Sequence, residues 1–214
     1  MALDGTYAGL AASILSFNWN RSNGTVDDAI RLAETRINLG LRIPAMQKTA
    51  DLTISDYRVA APTDFLQVVR LWIDGTYDNP LTPTTPELLA NFRATYSSGQ
   101  PTRYAIEGDD TAGTEDTTAG EYFVFGPDPG TTTYTAKLLY IRRLASVVSG
   151  SGNLILTRYP NLYLYGALDE LGAFSDDPRT YGERFEALLA RINQQAMGDA
   201  HAGGPLQPWS PYNL

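Results

Sequence analysis

Asp177-Pro-Arg-Thr-Tyr-Gly-Glu-Arg-Phe-Glu-Ala-Leu-Leu-Ala-Arg-Ile-Asn-Gln-Gln-Ala-Met197 carries the most regular pattern in this chain. Its apolar residues Tyr181, Phe185, Leu188, Leu189, Ile192 and Ala196 recur at three- and four-residue steps, which puts them along one side of an α-helix. Asp177 followed by Pro178 is a good helix start, because Pro loses nothing at a position whose N–H has no intrahelical partner. A helix with one narrow apolar stripe cannot keep it out of water alone, so the fold turns on where its partners lie.

The nearest partner is just upstream. After the linker Ser149-Gly-Ser-Gly152, Leu164, Leu168 and Leu171 fall on one stripe with Tyr165 and Phe174 close by, a third helix ending near Phe174. The other two partners open the chain. Tyr7, Leu10, Ala11 and Ile14 predict a first helix that ends near Phe17 and Trp19. After the turn signal Asn23-Gly24, Thr25 caps a second helix whose first turn holds Asp27 and Asp28, where the helix dipole favours negative charge. That helix runs to about Leu41, with Pro44 beyond it. Its predicted buried stripe is Val26, Ala29, Ile30, Ala33 and Ile37, while Asp27, Arg31, Glu34 and Asn38 face outward.

Between the two helical pairs the period changes to two. Ala50, Leu52 and Ile54 alternate with polar residues, as do Gln67, Val69, Leu71 and Ile73. The proline-rich stretch from Asn79 to Pro86 cannot pair continuously in a sheet, but Thr85-Pro86-Glu87 starts a short helix over Leu88 to Ala94. Strands resume at Arg103 to Glu107, Glu121 to Phe125 and Thr133 to Arg142. The loop from Gly108 to Gly120 has no large apolar residue and reads as exposed. No internal repeat is read along the chain. The predicted fold is α+β, a four-helix bundle of residues 1–44 and 150–198 with an antiparallel β-domain, 45–149, inserted between the second and third helices. A short helix sits near 86–95, and 199–214 forms an extended tail.

Composition bounds the function. With 214 residues, 43% of them hydrophobic, the chain can bury a real core. It holds no apolar run long enough to span a bilayer, and its start, Met1-Ala2-Leu3-Asp4, lacks the pattern of a secretory signal, so a soluble protein made in a cytoplasm is expected. The absence of cysteine removes disulfides, thiolate metal sites and thiol nucleophiles. A net charge of −8 repels phosphate backbones and argues against binding duplex DNA.

No motif carries catalysis, and no cofactor or metal is expected. His201, the single histidine, reads as a solvated residue of the Gly-rich tail. The acid pairs Asp27-Asp28, Asp109-Asp110, Glu115-Asp116 and Asp176-Asp177 are adjacent in sequence, which does not make the cleft that glycoside hydrolysis needs. Phosphate-binding and nucleophile-elbow motifs are absent, and the acidic loop lacks the ligand spacing of a calcium loop. The partner-contact candidates are Leu206, Trp209, Tyr212 and Leu214 in the tail, poor residues to leave in water, and Arg142-Arg143 at the end of the last long strand.

The segments Tyr7-Ala-Gly-Leu10, Val26-Asp-Asp-Ala-Ile-Arg-Leu-Ala-Glu34, Tyr57-Arg-Val-Ala-Ala-Pro-Thr-Asp-Phe-Leu66 and Tyr159-Pro-Asn-Leu-Tyr-Leu-Tyr-Gly-Ala-Leu168, followed by Asp177-Pro-Arg179, occur in an order that resembles the head-to-tail adaptor, or connector and tail accessory, proteins of short-tailed bacteriophages. The resemblance covers nearly the whole chain, rests on packing motifs and transfers no active-site residue. It implies a structural, non-enzymatic protein of the virion tail or neck, assembled in the host cytoplasm. Its partners would be the portal protein, identical subunits in a ring, commonly of twelve copies, and tail nozzle or fibre proteins, with DNA passing through the channel unread and no membrane contact. Two other classes stay open at this point. One is a virion-associated peptidoglycan hydrolase; the other is a carbohydrate-binding or fibre-anchoring module using the Tyr-rich strands Glu121 to Phe125 and Tyr134 to Tyr140.

Overall fold

A computed structural model describes residues 3–17, 23–75, 79–108, 120–149, 152–173 and 181–201, with side chains for all of these except 23, 24 and 197–201. In chain order the elements are α1 (Tyr7–Phe17), α2 (Asn23–Gly40), a 3₁₀ turn (Pro44–Met46), β1 (Gln47–Ile54), β2 (Arg58–Ala60), β3 (Phe65–Ile73), β4 (Thr82–Pro83), α3 (Pro86–Thr95), β5 (Arg103–Gly108), β6 (Glu121–Gly126), β7 (Tyr134–Arg142), α4 (Leu154–Arg158), α5 (Pro160–Ala173) and α6 (Tyr181–His201). They form two compact units, Met1–Met46 with Leu144–Leu214, and Gln47–Arg143.

In the helical unit α5 is the central element, in contact with α1, α2, α4 and α6. An element covered on several sides needs apolar residues on several sides, and Leu162, Tyr163, Gly166, Ala167, Leu168 and Leu171 are all buried. The sequence assigned one stripe; Leu164 and Tyr165, placed on or beside it, are only half-buried. Close approach of α2 and α6 to α5 depends on Gly166, where a Cβ would stand 2.9 Å from that of Ala33 and 3.1 Å from the Phe185 ring. The predicted third helix is α5, and a short helix that the sequence reading did not name, α4, precedes it. Tyr159 leaves helical geometry at φ −133, as the residue before a proline tends to, and Pro160 then opens α5. Asn153 caps α4 by accepting the Leu156 N–H at 2.9 Å.

Helix α2 buries the five residues predicted for it, Val26, Ala29, Ile30, Ala33 and Ile37. Its start differs: the helix begins at Asn23, so Thr25 lies inside the first turn. Asn and Gly are both accepted at helix starts, and the dipeptide opens the helix instead of turning the chain before it. Glu34, expected to face solvent, is buried and accepts the Val147 N–H at 2.6 Å. Asn38, likewise expected outside, accepts the Leu144 N–H at 2.8 Å. The stretch after β7 thus finds on α2 the acceptors its backbone needs. Arg36 ties three helices together, its guanidinium 2.7 Å from Asp169, 3.0 Å from Glu170 and 2.9 Å from Glu186, and 4.4 Å above the Phe185 ring. Burial opposes the charge on Arg36, but these carboxylates outweigh it and hold the side chain protonated.

The second unit contains two sheets, ordered β1-β7-β3 and β2-β6-β5-β4. Leu52, Ile54, Phe65, Leu71, Ala136, Leu138 and Tyr140 from the first meet Tyr104, Phe123 and Phe125 from the second in one core. Phe65 meets Phe123 edge to face at 5.3 Å between ring centres. Period two holds over 50–54 in β1 and 135–140 in β7, but β3 carries register shifts between Phe65 and Gln67 and between Val68 and Arg70. Gln67 and Val69 are therefore exposed although they were predicted to share a face with the buried Leu71 and Ile73. The sheets are not purely antiparallel as predicted, because β4 runs parallel to β5. A parallel neighbour needs a crossover, which α3 supplies. That helix forms where expected, with the Thr85 side chain accepting from the Leu88 N–H at 3.4 Å and Leu89 buried. The short strands β2 and β4 had no counterpart in the sequence reading.

Several predicted features lie outside the described residues: Trp19, the loop acids Asp109, Asp110, Glu115 and Asp116, Phe174, and the restart at Asp177-Pro178.

Candidate functional site

Of the partner-contact candidates, Leu206, Trp209, Tyr212 and Leu214 lie outside the described residues. His201, read as part of the tail, is the last residue of α6, so the helix continues past the predicted boundary at 198. Arg142 and Arg143 are separated by the alternation of the strand end. Arg142 is half-buried, and its Nε is shielded from solvent without a hydrogen-bond partner. Arg143 is exposed; its backbone N–H donates to the Asp64 carbonyl at 2.6 Å. Among the described residues neither guanidinium pairs with a carboxylate.

Arg143 borders a recess of about 580 Å³ whose walls include Ala61, Pro62, Leu66, Glu121 and Tyr122. Among the described residues Glu121 is the carboxylate that lines it. Close by in the chain, Asp64 accepts from Lys48 Nζ at 2.8 Å and from the Tyr140 hydroxyl at 2.6 Å. Burial works against ionisation of Asp64, but these two donors outweigh it and hold its carboxyl below the ordinary value. The cluster fixes the 61–65 turn to β1 and β7. The acid pair at Asp27-Asp28 is likewise structural in position: Asp27 receives a short hydrogen bond from the Tyr7 hydroxyl, joining α1 to α2. Among the described residues no group of His, Asp and Glu is arranged to hold a metal ion, and no helix is long and apolar enough to cross a membrane.

The aromatic residues that raised a sugar-binding reading divide by face. Phe123, Phe125 and Tyr140 are in the core, while Tyr122 is covered by Arg58, whose guanidinium is 4.0 Å from its ring centre. What remains open is a set of large apolar side chains that sequence reasoning did not single out. On α2, Leu32 and Leu39 are exposed on the side opposite the buried stripe. On α3 and at the cap residue that follows it, Leu88 and Tyr96 are exposed on either side of Phe92. Two Leu residues seven apart, out of phase with a helix's buried stripe, were a legible signal for the first; the second needed the β-domain's layering.

No curated protein matches this chain. Residues 5–208 match the model of the family described as SU10 adaptor protein, a span that takes in both units. The chain belongs to this SU10 adaptor protein family, and the resemblance to phage head-to-tail adaptors drawn from its packing motifs is borne out.

Proposed function

We propose that the chain is the head-to-tail adaptor of a tailed phage, a ring of identical subunits, commonly twelve, that docks under the portal, extends the DNA channel and carries nozzle or fibre proteins below. The observation that carries this reading is the family match across residues 5–208. A ring is closed by heterologous contacts, so each subunit needs two different surfaces, and two units with separate cores provide them. A net charge of −8 suits a conduit that DNA slides through without sticking. In this reading α1, α2, α5 and α6 act as a four-helix bundle, the unit Gln47–Arg143 is the inserted domain, and the residues after His201 are the tail. The tail residues Leu206, Trp209, Tyr212 and Leu214, together with Arg142 and Arg143, make partner contacts. A portal presents many equivalent sites, so weak individual contacts reinforce one another, and the free protein stays small until it meets the portal in the host cytoplasm.

Negative-stain imaging and sedimentation of the protein alone, and then mixed with the portal ring of the same phage, test this. A small species that converts to a stacked ring on mixing is the expected result. A chain that ignores the portal at every protein and salt concentration overturns it.

A further inference from the structure

The outer side of α3 carries a row of side chains that its own unit leaves open. Leu88 and Tyr96 are 59% and 56% exposed. The half-buried Phe92 lies between them, its ring 4.2 Å from that of Tyr96. The exposed Arg103 on β5 holds its guanidinium 4.5 Å from the Phe92 ring centre, and among the described residues it has no carboxylate partner. The row is therefore an apolar side chain, two flat rings and a group that only donates hydrogen bonds. From Leu88 to Tyr96, the cap residue just after the helix, the row is about 12 Å long.

That chemistry selects a slim ligand rich in acceptors. A proline-bearing segment fits, because each proline lacks an N–H, polyproline II carbonyls have no internal partner, and such segments bind against aromatic-lined surfaces. The guanidinium supplies the donors that the carbonyls lack.

The chain itself contains such a segment. Pro205-Leu-Gln-Pro208-Trp-Ser-Pro211-Tyr-Asn213 is three successive Pro-apolar-polar triplets, a repeat too short for the reading of longer periods to catch. At three residues per turn and about 3.1 Å per residue, the polyproline II geometry would line up Leu206, Trp209 and Tyr212 on one edge about 9 Å apart. A row of about 12 Å takes roughly four such residues, one step from Pro208 to Pro211.

We propose that residues 205–214 of one copy dock on the row formed by Leu88, Phe92, Tyr96 and Arg103 of a second copy. The choice of a second copy rests on the ring assembly proposed above; the match between segment and row does not. Residues 202–214, extended, span about 40 Å, more than the breadth of a unit of about 100 residues with a radius of gyration near 13 Å, so the segment can reach a neighbour.

The test uses full-length chains. A fluorescently labelled peptide of residues 202–214 is titrated against a chain carrying Trp209→Ser and Tyr212→Ser, whose own segment then does not compete. Saturable binding is expected. Adding Leu88→Ser and Tyr96→Ser, both at exposed positions, weakens it tenfold or more with an unchanged circular dichroism spectrum, Arg103→Ala weakens it about fivefold, and glycine in place of Pro208 and Pro211 in the peptide does the same. No binding, or binding indifferent to these changes, overturns the site. The second copy is tested by mixing two full-length variants, one altered in the row and the other in the segment, at high concentration in the ultracentrifuge. A complex that forms only in the mixture is expected, while peptide binding without such a complex overturns docking between copies. A chain that fails these tests but still stacks on the portal defeats this inference and leaves the adaptor reading intact.

Discussion

At the scale of single residues, the polar groups decide more than the pattern of the sequence conveys. Glu34 sits on the edge of an apolar stripe, where an acid is ordinarily solvated, and the chain gives no local sign that a backbone N–H more than a hundred residues later will reach it. Burying that N–H without its acceptor costs about 1–3 kcal/mol. Glu34→Ala is therefore expected to lower the stability of the helical unit by that amount in urea unfolding, and Glu34→Gln, which keeps an acceptor oxygen, by clearly less. Tyr163 makes a second prediction. Burial pushes its hydroxyl well above the ordinary value of 10.0, opposed by the hydrogen bond from Asn153 and reinforced by the charge of Glu34. The unfolded chain releases this proton near pH 10 while the folded chain retains it, so the contribution is complete below that pH and is lost as pH climbs from there through the folded value. Tyr7, Tyr104 and Tyr140 are raised in the same direction. Unfolding free energy measured between pH 9 and 11 should fall, and Tyr163→Phe should make the fall shallower.

At the scale of elements, helices with a strong single stripe and strands with strict alternation were legible. The phase of α2, the limits of α3 and three of the long strands follow from spacing, capping and turn residues alone. What the sequence hid were elements whose environment is not one-sided. Helix α5 is apolar on several faces because it touches four others, so its stripe could not be read from a 3.6-residue period. Strand β3 loses its alternation at two register shifts, and β2 and β4, at three and two residues, are too short to show any period. Gly166 is where α5 is most tightly fitted. Gly166→Val would place methyl groups inside the space of Ala33 and Phe185, and overpacking of this kind costs about 1–3 kcal/mol or more. The expected result is a lower urea midpoint, with loss of helical circular dichroism ahead of the signal from the β-unit. Val69→Thr on the exposed side of β3 serves as the control and should shift the midpoint by less than about 0.5 kcal/mol.

At the scale of the whole molecule, two compact units are expected to unfold as two cooperative units. Ile30→Ala in one and Leu138→Ala in the other remove fully buried side chains, and each should cost about 2–5 kcal/mol. Scanning calorimetry should show each substitution displacing the transition of its own unit; a single transition that moves equally with both would mean that the units unfold as one. The candidate interaction surface was less legible than the fold. Arg142 and Arg143 look alike in sequence, yet the strand end sends one into a half-buried position and leaves the other exposed, and the α3 row emerges only once β5 brings Arg103 over Phe92. The insertion of the β-unit also has a consequence in time. Helix α2 leaves the ribosome with its apolar stripe bare, and its main partner α5 begins about 120 residues later. At about 5–20 residues per second, that is a delay of roughly 6–24 s. The β-unit has all of its strands during this wait, whereas α2 meets its main partner only once α5 has been made, so a chain terminated before α5 leaves that stripe without the helix that covers it.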